Sequence, residues 1–344
     1  MSGTFTTAVL GASGYTGAET IRLIANHPEL DLTVATGHAQ AGRKVGNVFP
    51  HLATLTNLTV VKAEDVTWSE VDVAFSCLPH GTSQDLIENL PNSVKVVDLS
   101  ADYRLRDADL YAKVYGRPHL NPARTAHALY GLTEHVGAKL FDRDLVACPG
   151  CYPTATLLAL IPLISDAISA DGIIIDAKSG VSGAGRGLKE GNLFSEAAEG
   201  LHPYGIGVHR HAPEIDQELT LASERPVTVT FTPHLVPMVR GELVTCYVSG
   251  EADVCHAALS DAYEGSAFVS VLPLGSPPPD TRHVRGTNEC RIAVFPDRVS
   301  GRSIIIAVID NLVKGSSGQA IQNLNVMMGW DETTGLNGLT PLFP

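Results

Sequence analysis

Cys151 is the residue best placed to do chemistry in this chain. It follows Pro149-Gly150 and precedes Tyr152-Pro153-Thr154 and an apolar run, so it sits at or just before a helix N-terminus, with Pro153 suited to the first turn. The positive end of a helix stabilises a thiolate, the nucleophilic form of the sulfur. Cys148 completes a CxxC, but the Pro-Gly turn exposes one sulfur and no second CxxC follows. A redox pair, a metal ligand or a buried structural thiol are therefore the lesser readings, and no metal is expected. A nucleophile needs a proton-transfer partner. Val208-His209-Arg210-His211-Ala212-Pro213-Glu214 offers two imidazoles on a loop entering a helix from Pro213, with Glu214 close enough to orient a ring.

A second constellation lies near the start. Thr4 to Leu10 is β-prone, Gly11-Ala-Ser13-Gly14-Tyr15-Thr16-Gly17 interrupts it, and Ala18 to Asn26 carries Ile21, Ile24 and Ala25 at helical spacing. Strand, glycine turn and helix together suit a dinucleotide pyrophosphate: glycines let the backbone approach the phosphates, and the helix start presents uncommitted amides. The GxxGxxG spacing departs from GxGxxG, and a ligand-free tight turn is the plain alternative. An NAD enzyme usually carries an acidic residue after the second strand. Here that place reads Ala35-Thr36-Gly37-His38-Ala39, followed by Arg43-Lys44. No carboxylate repels a 2′-phosphate and two cations can pair with it, so NADP(H) is favoured over NAD; the alternative is a solvated cationic loop. Cys77-Leu78-Pro79-His80-Gly81 ends a later strand, where ligands approach a parallel sheet, and Cys77 and Pro79 are expected in the cofactor wall.

The elements that must carry these residues follow two textures. Leu30 to Thr36, Val71 to Cys77 and Val94 to Leu99 read as near-continuous apolar strands with helix-like connections such as Gln84 to Asn89, predicting a doubly wound, Rossmann-like α/β domain with a parallel sheet. Beyond about residue 150 a helix from Pro153 to Leu160 precedes strands over 172–177, 227–232, 241–248 and 291–296, an α+β domain with a mixed or antiparallel sheet. Ser317 to Gly329 is helix-like and is expected to return to the first domain. The predicted division is 1–149 with 312–344, and 150–311. At 344 residues two domains agree with about 150 residues each. A formal charge of −13 disfavours nucleic acid and anionic membranes. The longest apolar runs, Thr156 to Ile164 with Pro162 inside it and Ile304 to Ile309, fall short of the roughly 20 residues that span a bilayer. The N-terminus has no secretory pattern and the six cysteines are sparse, pointing to reduced thiols and a cytoplasmic protein.

Seven segments in order resemble the N-acetyl-gamma-glutamyl-phosphate reductase family. They are the Gly11–Gly17 turn, Asp98-Leu-Ser-Ala-Asp-Tyr-Arg104, Val146-Ala-Cys-Pro-Gly-Cys151-Tyr-Pro-Thr-Ala, Ser179-Gly-Val-Ser-Gly-Ala-Gly185, His209-Arg-His211-x-Pro-Glu214, Pro233-His-Leu-Val-Pro-Met-Val-Arg240-Gly and Asn311-Leu-Val-Lys-Gly-Ser-Ser-Gly-Gln319-Ala. The resemblance implies an NADPH-dependent reductase of arginine biosynthesis, with Cys151 attacking N-acetylglutamyl 5-phosphate to form a thioester. His209 or His211 would serve the oxyanion, with more weight on His209 because His211 lies nearer Glu214. A substrate bearing phosphate and carboxylate calls for cations: Arg104 foremost, then Arg186, Lys189, Arg210 and Arg240. The resemblance also implies that Ser179, Gly180, Ser182, Gly183 and Asn311 line the cofactor, and that the chain forms a homodimer or homotetramer. The alternatives are reduction of a related acyl phosphate, of aspartyl or aminoadipyl type, and a non-catalytic NADP sensor.

Overall fold

The computed structural model describes residues 4–164 and 168–343. The chain divides into two compact units, residues up to Pro149 with Ser316–Gly338, and Gly150–Gly315 with the tail from Leu339.

In the first unit six parallel strands, β1 (Phe5–Leu10), β2 (Leu30–Ala35), β3 (Val73–Ser76), β4 (Lys95–Asp98), β5 (Leu129–Tyr130) and β6 (Leu145–Ala147), lie in the order β2-β1-β3-β4-β6-β5. The central strands are apolar throughout because helices cover both faces; all four residues of β3 are buried. Ala8, Ala74, Val96, Leu145 and Ala147 meet Ile87, Leu90 and Tyr103 in one core. Strand order reverses between β1 and β3, so Gly11 and Cys77 stand at adjacent carboxyl ends, the usual ligand crevice of such sheets. The helix Gly318–Met327 belongs to this unit: Ser317 Oγ donates to the Thr16 carbonyl at 3.0 Å, and Asn323 Nδ2 to the Gly131 carbonyl at 2.8 Å.

The second unit holds a seven-stranded mixed sheet. Its strands are β7 (Ile174–Gly180), β8 (His202–Pro203), β9 (Thr230–Val236), β10 (Glu242–Ser249), β11 (Val269–Val271), β12 (Cys290–Pro296) and β13 (Arg302–Ile309), ordered β11-β12-β13-β10-β7-β9-β8. The helices Cys151–Ile164 and Ala252–Ala262 pack on one face, where Val244, Cys246, Ile305 and Ala307 are fully buried. Half-buried Thr245, Tyr247, Ile304 and Ile306 alternate with them, with Tyr247 opposite Ile304 and Thr245 opposite Ile306. The Cys151–Ile164 helix is apolar on all sides, as a central helix must be, and runs through Pro162. Proline has no N–H for the Leu158 carbonyl four residues back; Tyr263 Oη replaces it at 2.6 Å.

The C-terminal boundary differs from the expected one. The tail from Leu339 groups with the second unit because Leu342 N donates to the Arg285 carbonyl at 2.9 Å and the Arg285 guanidinium grips the Leu342 carbonyl at 2.8 and 3.0 Å. Ser316 rather than residue 312 begins the return to the first unit.

Candidate active site

The Cys151–Ile164 helix opens on the sulfur-bearing residue itself. The Gly150 carbonyl accepts both the N–H and the hydroxyl of Thr154 at 2.9 Å, closing the first turn. From the other side, Gly150 N donates to Glu214 Oε1 at 2.8 Å. Glu214 is 1% exposed and shares the inner face of the helix His211–Ser223 with Ile215 and Leu219, so this charge-assisted bond is shielded from water. The expected orientation of an imidazole by Glu214 gives way to a grip on the backbone preceding Cys151. Gly315 passes so close that a Cβ on it would stand 2.8 Å from the Cys151 Cβ, which excludes any side chain there.

Both histidines pack beside the nucleophile's neighbour. Tyr152 lies 5.8 Å from His209 and 5.8 Å from His211, and the two imidazoles are 4.9 Å apart at 77°. Tyr204 stacks edge-on against His209 at 5.3 Å and donates its hydroxyl to Tyr152 Oη at 3.1 Å. The His211 N–H donates to His209 Nδ1 at 3.2 Å, so the neutral His209 ring carries its proton on Nε2. Burial, aided by the adjacent Arg210 charge, pushes the His209 pKa down to about 4, leaving a neutral hydrogen-bond donor at neutral pH. Burial also drives Tyr152 and Tyr204 well above the ordinary phenol value.

A group absent from the sequence expectations stands here. Glu242, the first residue of β10, is fully buried, and its carboxyl hydrogen bonds with the Cys151 thiol. Its only sequence signal is a carboxylate opening the apolar run Leu243-Val244-Thr245-Cys246. Gly315, Tyr152 and Tyr204 were likewise not singled out.

The Ser179–Gly183 turn and Asn311 come together in the same unit. Asn311 Nδ2 donates to Ser182 Oγ at 2.9 Å and its Oδ1 accepts the Gly241 N–H at 2.9 Å. Gly180 runs so near the Val239 carbonyl that a Cβ would sit 2.7 Å away, and a Cβ on Gly183 would meet Ser179 Oγ at 2.9 Å. Among the expected cations, Arg186, Lys189 and Arg210 are exposed, whereas Arg240 pairs with buried Asp310 at 3.6 Å.

The remaining residues lie in the first unit. Gly11 has φ +78°, and a Cβ there would sit 2.6 Å from the Cys77 carbonyl oxygen; a Cβ on Gly17 would collide with the Gly11 carbonyl. Gly14 caps the helix Tyr15–Ile24 without a side chain, leaving the backbone cradle and amide donors that a pyrophosphate requires. Ser13 Oγ would lie 3.3 Å from a Cβ on Gly37, so turn and second-strand end are side by side. Thr36 is buried, its carbonyl accepting the Ala12 N–H at 2.8 Å, while His38, Arg43 and Lys44 are exposed. Arg43 donates to Gln40 Oε1 and the Asn47 carbonyl, and Lys44 to Asn57 Oδ1, all neutral partners. Burial pushes the Cys77 thiol up to about 12, consistent with a wall residue. Behind Pro79, Asp102 takes the Gly81 N–H on both oxygens at 2.7 and 2.9 Å, the Ser83 hydroxyl at 2.7 Å and the Tyr111 hydroxyl at 2.7 Å. The Asp98–Arg104 segment thus anchors the Cys77–Gly81 loop. Arg104, expected foremost on substrate, is 7% exposed, with Nε on the Cys148 carbonyl at 2.7 Å and Nη2 on the Leu99 carbonyl at 2.9 Å. Two of its donors serve the scaffold.

Residues 6–138 match the semialdehyde dehydrogenase NAD binding domain, and residues 151–311 the semialdehyde dehydrogenase dimerisation domain. A rice protein named probable N-acetyl-gamma-glutamyl-phosphate reductase, chloroplastic, is 55% identical over 98% of this chain and 82% of its own length. The N-acetyl-gamma-glutamyl-phosphate reductase of Rhodospirillum rubrum is 51% identical over the full length of both chains. The chain belongs to the N-acetyl-gamma-glutamyl-phosphate reductase family. It is an enzyme, an oxidoreductase of the semialdehyde dehydrogenase group. Aspartate semialdehyde dehydrogenase II of Vibrio cholerae, complexed with ASA, shares the fold at TM-score 0.71 and 17% identity, covering 94% of this chain and 98% of that one. The Candida albicans aspartate semialdehyde dehydrogenase with NADP does so at TM-score 0.65 and 16% identity, covering 94% and 98%. The family's two domains coincide with the α/β unit that carries the glycine turn and the mixed-sheet unit that carries Cys151. Among the described residues no helix is long and apolar enough to cross a membrane, and no disulfide joins any of the six cysteines.

Proposed function

We propose that this enzyme reduces N-acetyl-L-glutamyl 5-phosphate to N-acetyl-L-glutamate 5-semialdehyde, releasing phosphate, with NADPH as reductant and a thioester on Cys151, as a step of arginine biosynthesis in the cytoplasm. The observation that carries it is a sulfur at a helix start whose neighbour Tyr152 packs against both His209 and His211. The thiolate attacks the acyl carbon, the acyl C–O bond to phosphate breaks, and one difficult reduction becomes two easier steps. A bound nicotinamide supplies the hydride that reduces the thioester. His209, neutral with its proton on Nε2, donates to the oxyanion that develops on the substrate; His211 holds that tautomer by giving its N–H to Nδ1. Glu214 holds the Gly150 backbone. The exposed Arg186, Lys189 and Arg210 attract the substrate's anionic groups, Arg210 standing next to His209.

NADP(H) is supported by an acid-free end of β2 and by Arg43 and Lys44, whose hydrogen-bond partners carry no charge to neutralise them. Thr36 and His38 flank that position, and the Gly11–Gly17 turn, with Ser13, Tyr15 and Thr16, takes the pyrophosphate. Ser179, Gly180, Ser182, Gly183 and Asn311 form the second unit's contribution to the cofactor. We also infer a homo-oligomer built on the dimerisation domain. The sheet face bearing Tyr247, Ile304 and Ile306 opposite the helices is the apolar surface that suits a second copy. Light scattering is expected to return at least twice the chain mass, and a monomer overturns this point.

The test of function couples the protein to N-acetylglutamate kinase with ATP and follows loss of NADPH absorbance. Turnover is expected, with Cys151→Ser abolishing it while NADP still binds. Full activity of Cys151→Ser sinks the covalent mechanism, and a larger kcat/KM with aspartyl phosphate sinks the substrate assignment.

A further inference from the structure

We propose that the Glu242 carboxyl is the base that takes the proton from the Cys151 thiol as sulfur attacks, and the acid that returns it when the thiohemiacetal collapses. This rests on the thioester reading above and adds a proton carrier distinct from the imidazoles.

The placement argues for chemistry rather than scaffolding. Glu242 pairs in register with Ser179 of β7 and Ile309 of β13, in the middle of the sheet, and is fully buried. Its two oxygens receive no N–H or O–H donor; the group the carboxyl hydrogen bonds is the Cys151 thiol. A buried carboxyl left without donors destabilises a fold. Asp310, equally buried one residue beyond β13, shows what a structural acid looks like here: it accepts the Gly286 N–H at 2.7 Å and the Leu312 N–H at 2.8 Å, and pairs with Arg240. Glu242 has nothing comparable.

The titratable groups that bear on Glu242 are Cys151 and Tyr152 from the helix, Tyr204, and Asp310 after β13. Burial, with the Asp310 charge adding to it and the Cys151 hydrogen bond opposing it, pushes the carboxyl up to about 8. A carboxyl in that range exchanges its proton with a thiol near neutral pH, where a general base is most effective.

The protons balance. The S–H bond breaks toward the Glu242 carboxylate while the S–C bond forms and the acyl C–O bond to phosphate breaks, leaving a thioester and a neutral carboxyl. After hydride reduction the C–S bond breaks to release the aldehyde, and the sulfur recovers its proton from Glu242. The proton consumed in the net reaction goes to the departing phosphate from solvent or an imidazole, not from Glu242.

The experiment uses the full chain and Glu242→Gln, a near-isosteric change. In the wild type the rate of Cys151 alkylation by iodoacetamide, read by mass spectrometry, is expected to rise with pH in two steps, because thiol and carboxyl titrate as a pair; in E242Q one step remains. With the acyl phosphate, kcat of E242Q is expected to fall by about 10²–10⁴, the usual contribution of general acid–base catalysis, with KM unchanged. Glu242→Asp, which keeps a carboxyl, is expected to recover part of that loss. A single alkylation step in the wild type overturns the proposal even if E242Q does not fold. An active wild type matched by E242Q in kcat overturns it while leaving the thioester reading intact. A wild type inactive toward the acyl phosphate overturns both.

Discussion

Glu214 offers the most direct measure of how firmly the nucleophile is held. Its Oε1 accepts the Gly150 N–H at 2.8 Å from a side chain 1% exposed. A hydrogen bond to a charged group contributes about 1.5–3 kcal/mol and a neutral one about 0.5–1.5 kcal/mol. Glu214→Gln keeps the shape and an accepting oxygen, so it forfeits about 1–1.5 kcal/mol, the difference between the two. Glu214→Ala leaves the Gly150 N–H without this acceptor, costing about 1–3 kcal/mol, and removes buried methylene worth about 0.8 kcal/mol. The total is about 2–4 kcal/mol. The Gly150 carbonyl is already fixed by Thr154, so releasing its N–H lets the peptide entering Cys151 rotate about one remaining anchor. At about 1.4 kcal/mol per tenfold, kcat is expected to fall about 5- to 10-fold in Glu214→Gln and about 30- to 1,000-fold in Glu214→Ala. The assay is phosphate-dependent oxidation of N-acetylglutamate semialdehyde, followed as nicotinamide absorbance, beside thermal melting. NADP affinity, carried by the first unit, is expected to hold. Variants that melt lower yet keep wild-type kcat refute the positioning argument, and a Glu214→Ala protein as stable as the wild type refutes the bond.

The cofactor preference has its own test: Arg43→Ala with Lys44→Ala is expected to weaken NADPH binding about tenfold or more, on the scale of one lost charge-assisted contact, and leave NADH unchanged by fluorescence titration. Equal losses for both dinucleotides, or wild-type binding tighter for NADH than NADPH, refute the assignment. Glu242 also makes stability depend on pH. Its folded pKa, raised by burial from 4.5 to about 8, means that the folded chain holds a proton the unfolded chain has released between those values. Its contribution is therefore fully present below pH 4.5, declines as pH rises and levels off above about 8. Melting profiles are expected to show that decline in the wild type and not in Glu242→Gln; parallel profiles refute it.

Much of the fold was legible because apolar runs and glycine turns are local signals. β1, the Gly11 turn and its helix fall where the pattern placed them, since Gly11 and Gly17 are required by contacts within the unit itself. The parallel character of β3 and β4 followed from strands buried on both sides. Shorter elements left no periodicity to read: β5 has two residues, β6 three and β8 two. The helix Ala252–Ala262 buries only Cys255 and Leu259 and so shows a faint inner stripe. Pro162 illustrates the opposite limit, a local breaker overridden by a tertiary donor, Tyr263.

The site divides along the same line. Cys151 at a helix start and the paired histidines are local facts, visible in spacing. What surrounds them is not. Glu214 sits three positions after His211 on one helix, and that spacing favours a ring contact. Burial decides otherwise: Glu214 shares its face with Ile215 and Leu219, toward the Cys151–Ile164 helix, where Gly150 presents an amide in need of an acceptor. Glu242 is the harder case. In sequence it is one acid after Arg240-Gly241, and a charge at a strand boundary is ordinarily solvated. Only the register of β10 between β7 and β13 draws it into the sheet, and only the close approach of the helix start turns it toward sulfur. A buried acid is worth asking about when its oxygens lack the amides that satisfy its neighbour Asp310. By that comparison Glu242, rather than the second imidazole, is the group whose removal separates a reactive Cys151 from a merely accessible one.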